Sequence, residues 1–186
     1  KLNLRAGVRL DFFSRDYGIY NTDDFKLLDR TLDQRQTNTA FTYRLGAVYN
    51  VTKYFNVYSS LSSFFKSQRI TLSPEVVYMH PDGTEMSDSE LRSFKPLTGR
   101  QWEVGLHLDL GTELSLSAAA YHITLNNMVR TNLGTAADGR KIGGPIGKSV
   151  SKGIELEMRY APSTAFDFSL GYSLTDARIA EYTSSK

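Results

Sequence analysis

Few side chains in this sequence could do chemistry, and they are scattered. His80, His107 and His122 lie far apart, without the close spacing by which histidines share a metal ion. His107 falls on a polar strand face, where a hydrogen-bonding role is the simpler reading. Glu155 and Glu157 stand two apart, which on an extended chain puts both carboxylates on one face, the arrangement of an acid–base pair. A network of ion pairs with arginines from neighbouring strands or from another domain accounts better for them, because buried charges need partners. Gly139 to Gly147 is glycine-rich but does not lead from a strand into a helix, as a phosphate-cradling loop must, and is expected to be a mobile connection. Cysteine is absent, which removes thiolate catalysis, disulfides and cysteine-based zinc sites. No catalytic residue, no metal ligand and no directly bound cofactor is assigned, and the chain reads as a non-enzyme.

Composition narrows the classes further. A formal net charge of +2 over 186 residues, with no basic run, gives no footprint for nucleic acid. No apolar run approaches the roughly 18 residues of a membrane-spanning helix. The mean hydropathy is −0.34, which suits a water-soluble protein. It also suits a transmembrane β-barrel, where half of each strand faces a polar interior and dilutes the apolar signal.

The element that carries Glu155 and Glu157 decides between them. From Val150 to Tyr160, Val150, Ile154, Leu156, Met158 and Tyr160 alternate with Ser151, Gly153, Glu155, Glu157 and Arg159. Strict alternation predicts a strand with one apolar and one polar face. The same pattern recurs at Leu2–Phe12, Phe41–Val51, Phe55–Phe65, Trp102–Leu110, Leu114–Leu125 and Phe166–Leu174, giving seven antiparallel strands. The pattern blurs at Ala118-Ala119-Ala120, where a bulge is expected. Strands of about ten residues exceed the common five or six of globular sheets and match a tilted membrane crossing.

The connections alternate in length. Thr52–Tyr54, Gly111–Glu113 and Ala161–Ala165 are short, whereas Ser14–Gln36, Lys66–Gly99 and Asn126–Ser149 are long and polar. Outer-membrane barrels have this asymmetry, with tight periplasmic turns and long extracellular loops. With the short turns inside, Phe12, Phe41, Tyr43, Phe65 and Trp102 fall at the outer end of the apolar face. Tyr49, Phe55, Tyr160, Phe166 and Phe168 fall at the inner end, with aliphatic side chains between. Two aromatic bands around an aliphatic belt are expected at lipid headgroup levels. A β-sandwich core would also be aromatic, but explains neither strand length nor loop asymmetry. Lys1 opens in mid-pattern, and bacterial barrels close with an even strand number, so residues 1–186 are expected to be part of one larger barrel domain.

Five segments then carry a resemblance. Phe94–Leu106 places a Pro and a Gly before an aromatic-Glu-Val-Gly-Leu strand; Leu116–Asn126 ends at an Asn; Ser149–Leu156 has a basic residue followed by Gly, aliphatic and Glu; Tyr43–Tyr49 and Val57–Ser59 complete the order. Together they resemble the barrel of TonB-dependent outer-membrane receptors, most closely siderophore receptors. The resemblance implies a 22-stranded barrel in the outer membrane of a Gram-negative bacterium. It also implies an N-terminal plug domain, energy delivered through TonB, and a ferric siderophore as the transported ligand. No plug, TonB-contacting segment or terminal strand ending in Phe is recognised between Lys1 and Lys186. Non-iron cargo such as cobalamin, haem or glycan, a general porin, and a small structural or adhesin barrel remain alternatives.

Cargo contacts are sought on the polar register and in the long connections. Phe64 is the aromatic near the outer end of the third strand's polar register, placed to pack on a catecholate or an apolar siderophore backbone. Arg9, Arg44 and Gln101 share that register and suit an anionic ligand, and Tyr17, Tyr20 and Tyr78 lie in the long connections. The longest connection, Lys66–Gly99, combines Tyr78 and Phe94 with charged side chains such as Arg69 and Arg92 and is expected to order over cargo. The register itself is directly testable in the intact protein. Cysteines placed at Leu106 and Leu156 should react with lipid-phase probes while those at Gln101 and Glu155 should not, and equal labelling of both sets would reject the barrel.

Overall fold

The computed structural model describes residues 1–20, 27–67, 75–92, 95–111 and 113–181, with backbone alone for 15–20, 27–36, 88, 92 and 181. Arg69 and Phe94 therefore lie outside the described residues, as do the side chains of Tyr17, Tyr20 and Arg92. In chain order the elements are β1 (Leu2–Tyr20), β2 (Leu27–Asn50), β3 (Phe55–Lys66), β4 (Val76–Tyr78), α1 (Asp88–Arg92), β5 (Leu97–Asp109), β6 (Leu114–Asn126), β7 (Val129–Thr135), β8 (Lys141–Pro145), β9 (Lys148–Ser163) and β10 (Phe166–Glu181). Seven of them form one antiparallel sheet in the order β1-β2-β3-β5-β6-β9-β10.

All seven strands fall where alternation predicts them. Their apolar register is exposed along β1 and β10 and exposed to half-buried on the strands between: Leu4, Val8 and Phe12 are 72 %, 76 % and 74 % accessible. Large side chains exposed in this way along whole strands have no core of this chain to enter, and are stable against lipid acyl chains. The short connections have local causes. At one, Thr52 Oγ1 accepts hydrogen bonds from the backbone N–H groups of Tyr54 (3.1 Å) and Phe55 (3.0 Å). At another, Gly111 adopts φ of 77° while its N–H donates to Asp109 Oδ1 at 2.9 Å.

Several expectations are corrected. Ala118-Ala119-Ala120 contains no bulge: these residues pair in unbroken register with Leu106, Gly105 and Val104 on β5 and with Leu156, Glu155 and Ile154 on β9. The blurred pattern reflects small side chains, not an extra residue. The first long connection is not a loop from Ser14 to Gln36, because β1 and β2 continue as a paired ribbon from Ser14↔Thr37 to Tyr20↔Leu27. Backbone pairing persists there without hydropathy alternation, since a ribbon standing in water needs no apolar face.

The other two long connections fold together. β4 from the first pairs parallel with β8 from the second, and β8 pairs antiparallel with β7, making a three-stranded sheet in the order β4-β8-β7. Met79 N–H donates to Gly143 O and Lys141 N–H to Glu75 O, each at 2.8 Å. Arg140 reaches Glu85 at 3.6 Å, and Asn127 Nδ2 donates to Pro96 O at 3.2 Å. Val77, Tyr78 and Ile146 are buried. The glycine-rich stretch Gly139–Gly147, expected to be mobile, instead contributes the central strand of this sheet. Its glycines permit close packing: a Cβ on Gly143 would stand 2.7 Å from the Tyr78 ring, and one on Gly144 2.6 Å from Met79 O. Ser87 caps α1 through Glu90, whose Oε2 accepts from Ser87 Oγ (2.6 Å) and Ser87 N–H (2.8 Å), bonds that hold this carboxyl below its ordinary range.

Register sets depth as well as facing. Leu106 lies midway along the exposed register between Leu110, at the short turn, and Trp102, whereas Leu108 sits beside the turn-proximal Phe55 and Leu116. In the intact barrel refolded into vesicles, Leu106→Arg should therefore cost roughly 2–4 kcal/mol and Leu108→Arg less, as read by equilibrium unfolding. Equal costs would reject this placement. Gly144→Val should raise amide exchange across Val76–Tyr78 and Ile142–Gly144 and leave the seven-stranded sheet unchanged; unaltered exchange would contradict the packing of β4 on β8.

Candidate functional site

The polar register of the seven-stranded sheet forms a continuous inner wall, and three expected cargo contacts meet on it. Arg9 of β1, Arg44 of β2 and Gln101 of β5 line one hollow of about 510 Å3, together with Ser60, Ser62 and Glu103. Antiparallel pairing is what gathers them: Arg44 stands opposite both Gly7 and Ser62, and Ser62 opposite Gln101. Below, a second hollow of about 390 Å3 shares Gly7, Arg44, Ser60 and Glu103 and adds Arg5 and Tyr58. The two make one groove with Arg44 at its centre.

The cations in the groove are not equivalent. Arg9 Nε donates to Asp11 Oδ1 at 2.8 Å, and its Nη2 also contacts that oxygen, so Asp11 offsets its charge. Arg44 makes no hydrogen bond or ion pair among the described residues and is exposed to the groove. Glu103 is a member of the site that the sequence reading passed over. Its Oε1 accepts from Tyr58 Oη at 2.8 Å and its Oε2 from Gln101 Nε2 at 3.0 Å, so one carboxylate ties β3 to β5 and orients the amide of Gln101. The signal for it was the Glu flanked by Trp102 and Val104, but its partner Tyr58 becomes visible only in register.

Other expected contacts are placed elsewhere. Phe64 lies over Gly99 on the neighbouring strand, so close that a Cβ there would collide with the ring. The same relation holds for Tyr58 on Gly105, Tyr121 on Gly153 and, in the small sheet, Tyr78 on Gly143. Each aromatic covers the glycine directly opposite, which gives Phe64 a packing role within its own wall. Tyr78, put forward as a cargo contact, is 3 % exposed and belongs to the small sheet's interior.

The charged network expected around Glu155 and Glu157 does not form within this wall. Arg159 pairs with Asp167 at 2.6 Å, and neither glutamate has an ion pair among the described residues. Glu155 faces Ala119 and Ser173, and Glu157 faces Ser117 and Gly171. His107 Nδ1 lies 2.9 Å from Ser117 Oγ, and His80 Nε2 lies 3.2 Å from Glu90. No group of three or more potential metal ligands occurs among the described residues. Of the aromatics at the strand ends, Phe12, Phe41, Trp102, Tyr49, Tyr160, Phe166 and Phe168 are exposed, while Tyr43, Phe55 and Phe65 are half-buried. Phe166 and Phe168 stack at 6.2 Å, and Phe13 stacks on Phe65 at 5.5 Å.

Comparisons with known proteins agree with this architecture. The chain is 27 % identical over 124 residues to the metal-pseudopaline receptor CntO of Pseudomonas aeruginosa strain UCBPP-PA14, covering 66 % of this chain and 15 % of that one. It is 27 % identical over 188 residues to the ferrioxamine receptor of Yersinia enterocolitica, covering 94 % and 25 % respectively. The chain thus spans a quarter or less of the length of these relatives. Among solved structures, the closed form of the ferric-catecholate import receptor Fiu from E. coli K12 superposes with a TM-score of 0.63 at 20 % identity, covering 95 % of this chain and 25 % of that one. At that identity the likeness is one of fold. The family described as TonB dependent receptor-like, beta-barrel matches residues 1–186, and the chain belongs to that family.

Proposed function

We propose that this chain is wall and outer cap of a receptor in the Gram-negative outer membrane that takes up a ferric siderophore with energy delivered through TonB. The observation that carries the cargo class is Arg44, a guanidinium with no ion pair among the described residues, at the centre of an inner groove also lined by Arg5, Arg9 and Gln101. A guanidinium presents a rigid fork of donors to carboxylate, catecholate or hydroxamate oxygens, and in a confined groove its attraction for an anionic complex is less screened than at an open surface. Membership of the receptor family and similarity to a ferrioxamine receptor and a ferric-catecholate import receptor support iron as the metal. The metal-pseudopaline receptor keeps a second reading in view, another metal chelate taken up through the same groove.

The partners follow from the same surfaces. The exposed apolar register meets outer-membrane lipid. Glu155 and Glu157, without ion pairs in this wall, would face the receptor's own plug domain, through which TonB would act. The short turns face the periplasm and the small β4-β8-β7 sheet faces the outside, where its two connections would move over cargo as one body because they share backbone hydrogen bonds.

Ferric siderophore binding and uptake by the intact receptor test this reading. Arg44→Gln should weaken binding about tenfold, equivalent to about 1.4 kcal/mol, and Arg9→Gln less, because Asp11 already offsets that charge. Uptake, but not binding, should stop when TonB is removed. Unchanged affinity in Arg44→Gln, or preference for a metal-free neutral ligand, would reject an anionic ferric cargo. Replacing Met79–Ser89 by a short Gly-Ser linker should leave barrel assembly intact and weaken cargo binding; unchanged affinity and uptake would confine recognition to the inner wall.

A further inference from the structure

A hollow near the long-connection end has a different character from the inner groove. β2 and β3 pair only from Asn50↔Asn56 to Arg44↔Ser62, whereas β3, β5, β6 and β9 stay paired for two further rungs or more. Beyond Tyr43, whose N–H donates to Ser63 Oγ at 2.9 Å, β2 therefore leans away from β3. A hollow of about 810 Å3 begins at this opening and extends across β5 and β6 to the start of β9. Phe41, Tyr43 and Phe65 line one side, and Arg100, Thr124 and Lys148 the other. Ala40 and Gly99, both buried, and Phe64 close its inner end.

All six of those lining residues belong to the register that carries the apolar belt. Arg100 is two residues beyond Trp102, Thr124 two beyond His122, and Lys148 lies on the rung next to Arg100 and Thr124. A cation on this register costs several kcal/mol at the bilayer midplane and roughly 0–1 kcal/mol at the interface, so its place at the upper edge of the belt is a headgroup level. Lys152 and Arg178 stand on the same face further along, but both lie against Asp176, at 4.0 Å in the case of Lys152. Arg100 has no ion pair among the described residues and is exposed.

We propose that this hollow binds the phosphorylated headgroup of an outer-leaflet lipid, with Arg100 and Lys148 on the phosphate and Phe41, Tyr43 and Phe65 against the upper acyl chains. The inference rests on the outer-membrane placement proposed above. Charge complementarity selects an anion, the guanidinium fork and the Thr124 hydroxyl suit phosphate oxygens, and continuity with the belt below selects one that carries acyl chains. Ring side chains at the same level suit the boundary between headgroup and chain. A soluble anion would gain nothing from that continuity.

The test uses the intact receptor in detergent, with bisphosphorylated lipid A, its dephosphorylated counterpart and inorganic pyrophosphate as probes, read by native mass spectrometry. The bisphosphorylated lipid should be retained at least tenfold better than the dephosphorylated one. The double variant Arg100→Gln, Lys148→Gln should lose that preference, while Lys53→Gln at the opposite end keeps it. Ferric siderophore affinity should not change in the double variant, which separates this site from the cargo groove. Each single variant gives the same reading at smaller amplitude should the double variant fail to assemble. Equal retention of the two lipids, or an unaltered preference in the variants, would overturn the proposal. Pyrophosphate binding as tight as that of the phosphorylated lipid would replace it with a site for free anions. Absence of the receptor from outer-membrane fractions would instead overturn the placement on which it rests.

Discussion

Backbone pairing is the constraint on which the rest of this structure depends. Inside hydrocarbon no water is available to an unpaired N–H or C=O, so each strand must be bonded along both edges through the apolar zone. β5 and β6 meet that demand on both sides, rung after rung, with no register shift. β1 and β10 are the sheet's outer strands, and a barrel of the family's kind satisfies them with further strands. The same ladder holds one face of every strand toward lipid and the other inward, so a single geometric fact produces both the exposed belt and the polar groove.

The inner wall shows how side chains are arranged once the ladder is set. Glycines on the polar register would leave gaps and weaken their strands. Phe64, Tyr58 and Tyr121 each lie across the glycine opposite, covering Gly99, Gly105 and Gly153. Tyr58 then has its hydroxyl carried to Glu103, and Tyr121 Oη stands 2.7 Å from Thr175 Oγ1, so the same rings that fill gaps also tie polar groups across strands. Arg44 is left outside these ties. Its charge is available because the neighbouring carboxylates are committed, Glu103 to Tyr58 and Gln101, and Asp11 to Arg9.

At the long-connection end the constraint relaxes, and the chain uses water-exposed pairing differently. The β1–β2 ribbon rises without alternation, and two connections far apart in sequence share the β4-β8-β7 sheet. That sheet has a small interior of Val77, Tyr78 and Ile146, enough to couple the connections though not to form a second large core. The upper hollow begins where β2 departs from β3 and extends across β5 and β6 to the start of β9.

Alternation alone determined the seven crossing strands, their facing and the position of the short turns, because a period of two is imposed locally by the backbone and a lipid-facing register admits few polar residues. The same alternation put Arg9, Arg44 and Gln101 on one face. That they line one groove, that Glu103 is bonded to Tyr58 and Gln101, and that Phe64 lies on Gly99 are facts about which residue stands opposite which. Register is fixed by turns and by neighbours distant in the chain. The ribbon and the small sheet were invisible to alternation because strands in water, or strands of three to seven residues, carry no sustained apolar face. The parallel pairing of Val76–Tyr78 with Lys141–Gly143 joins segments more than sixty residues apart, and only tertiary structure decides such a meeting, since no local pattern encodes it.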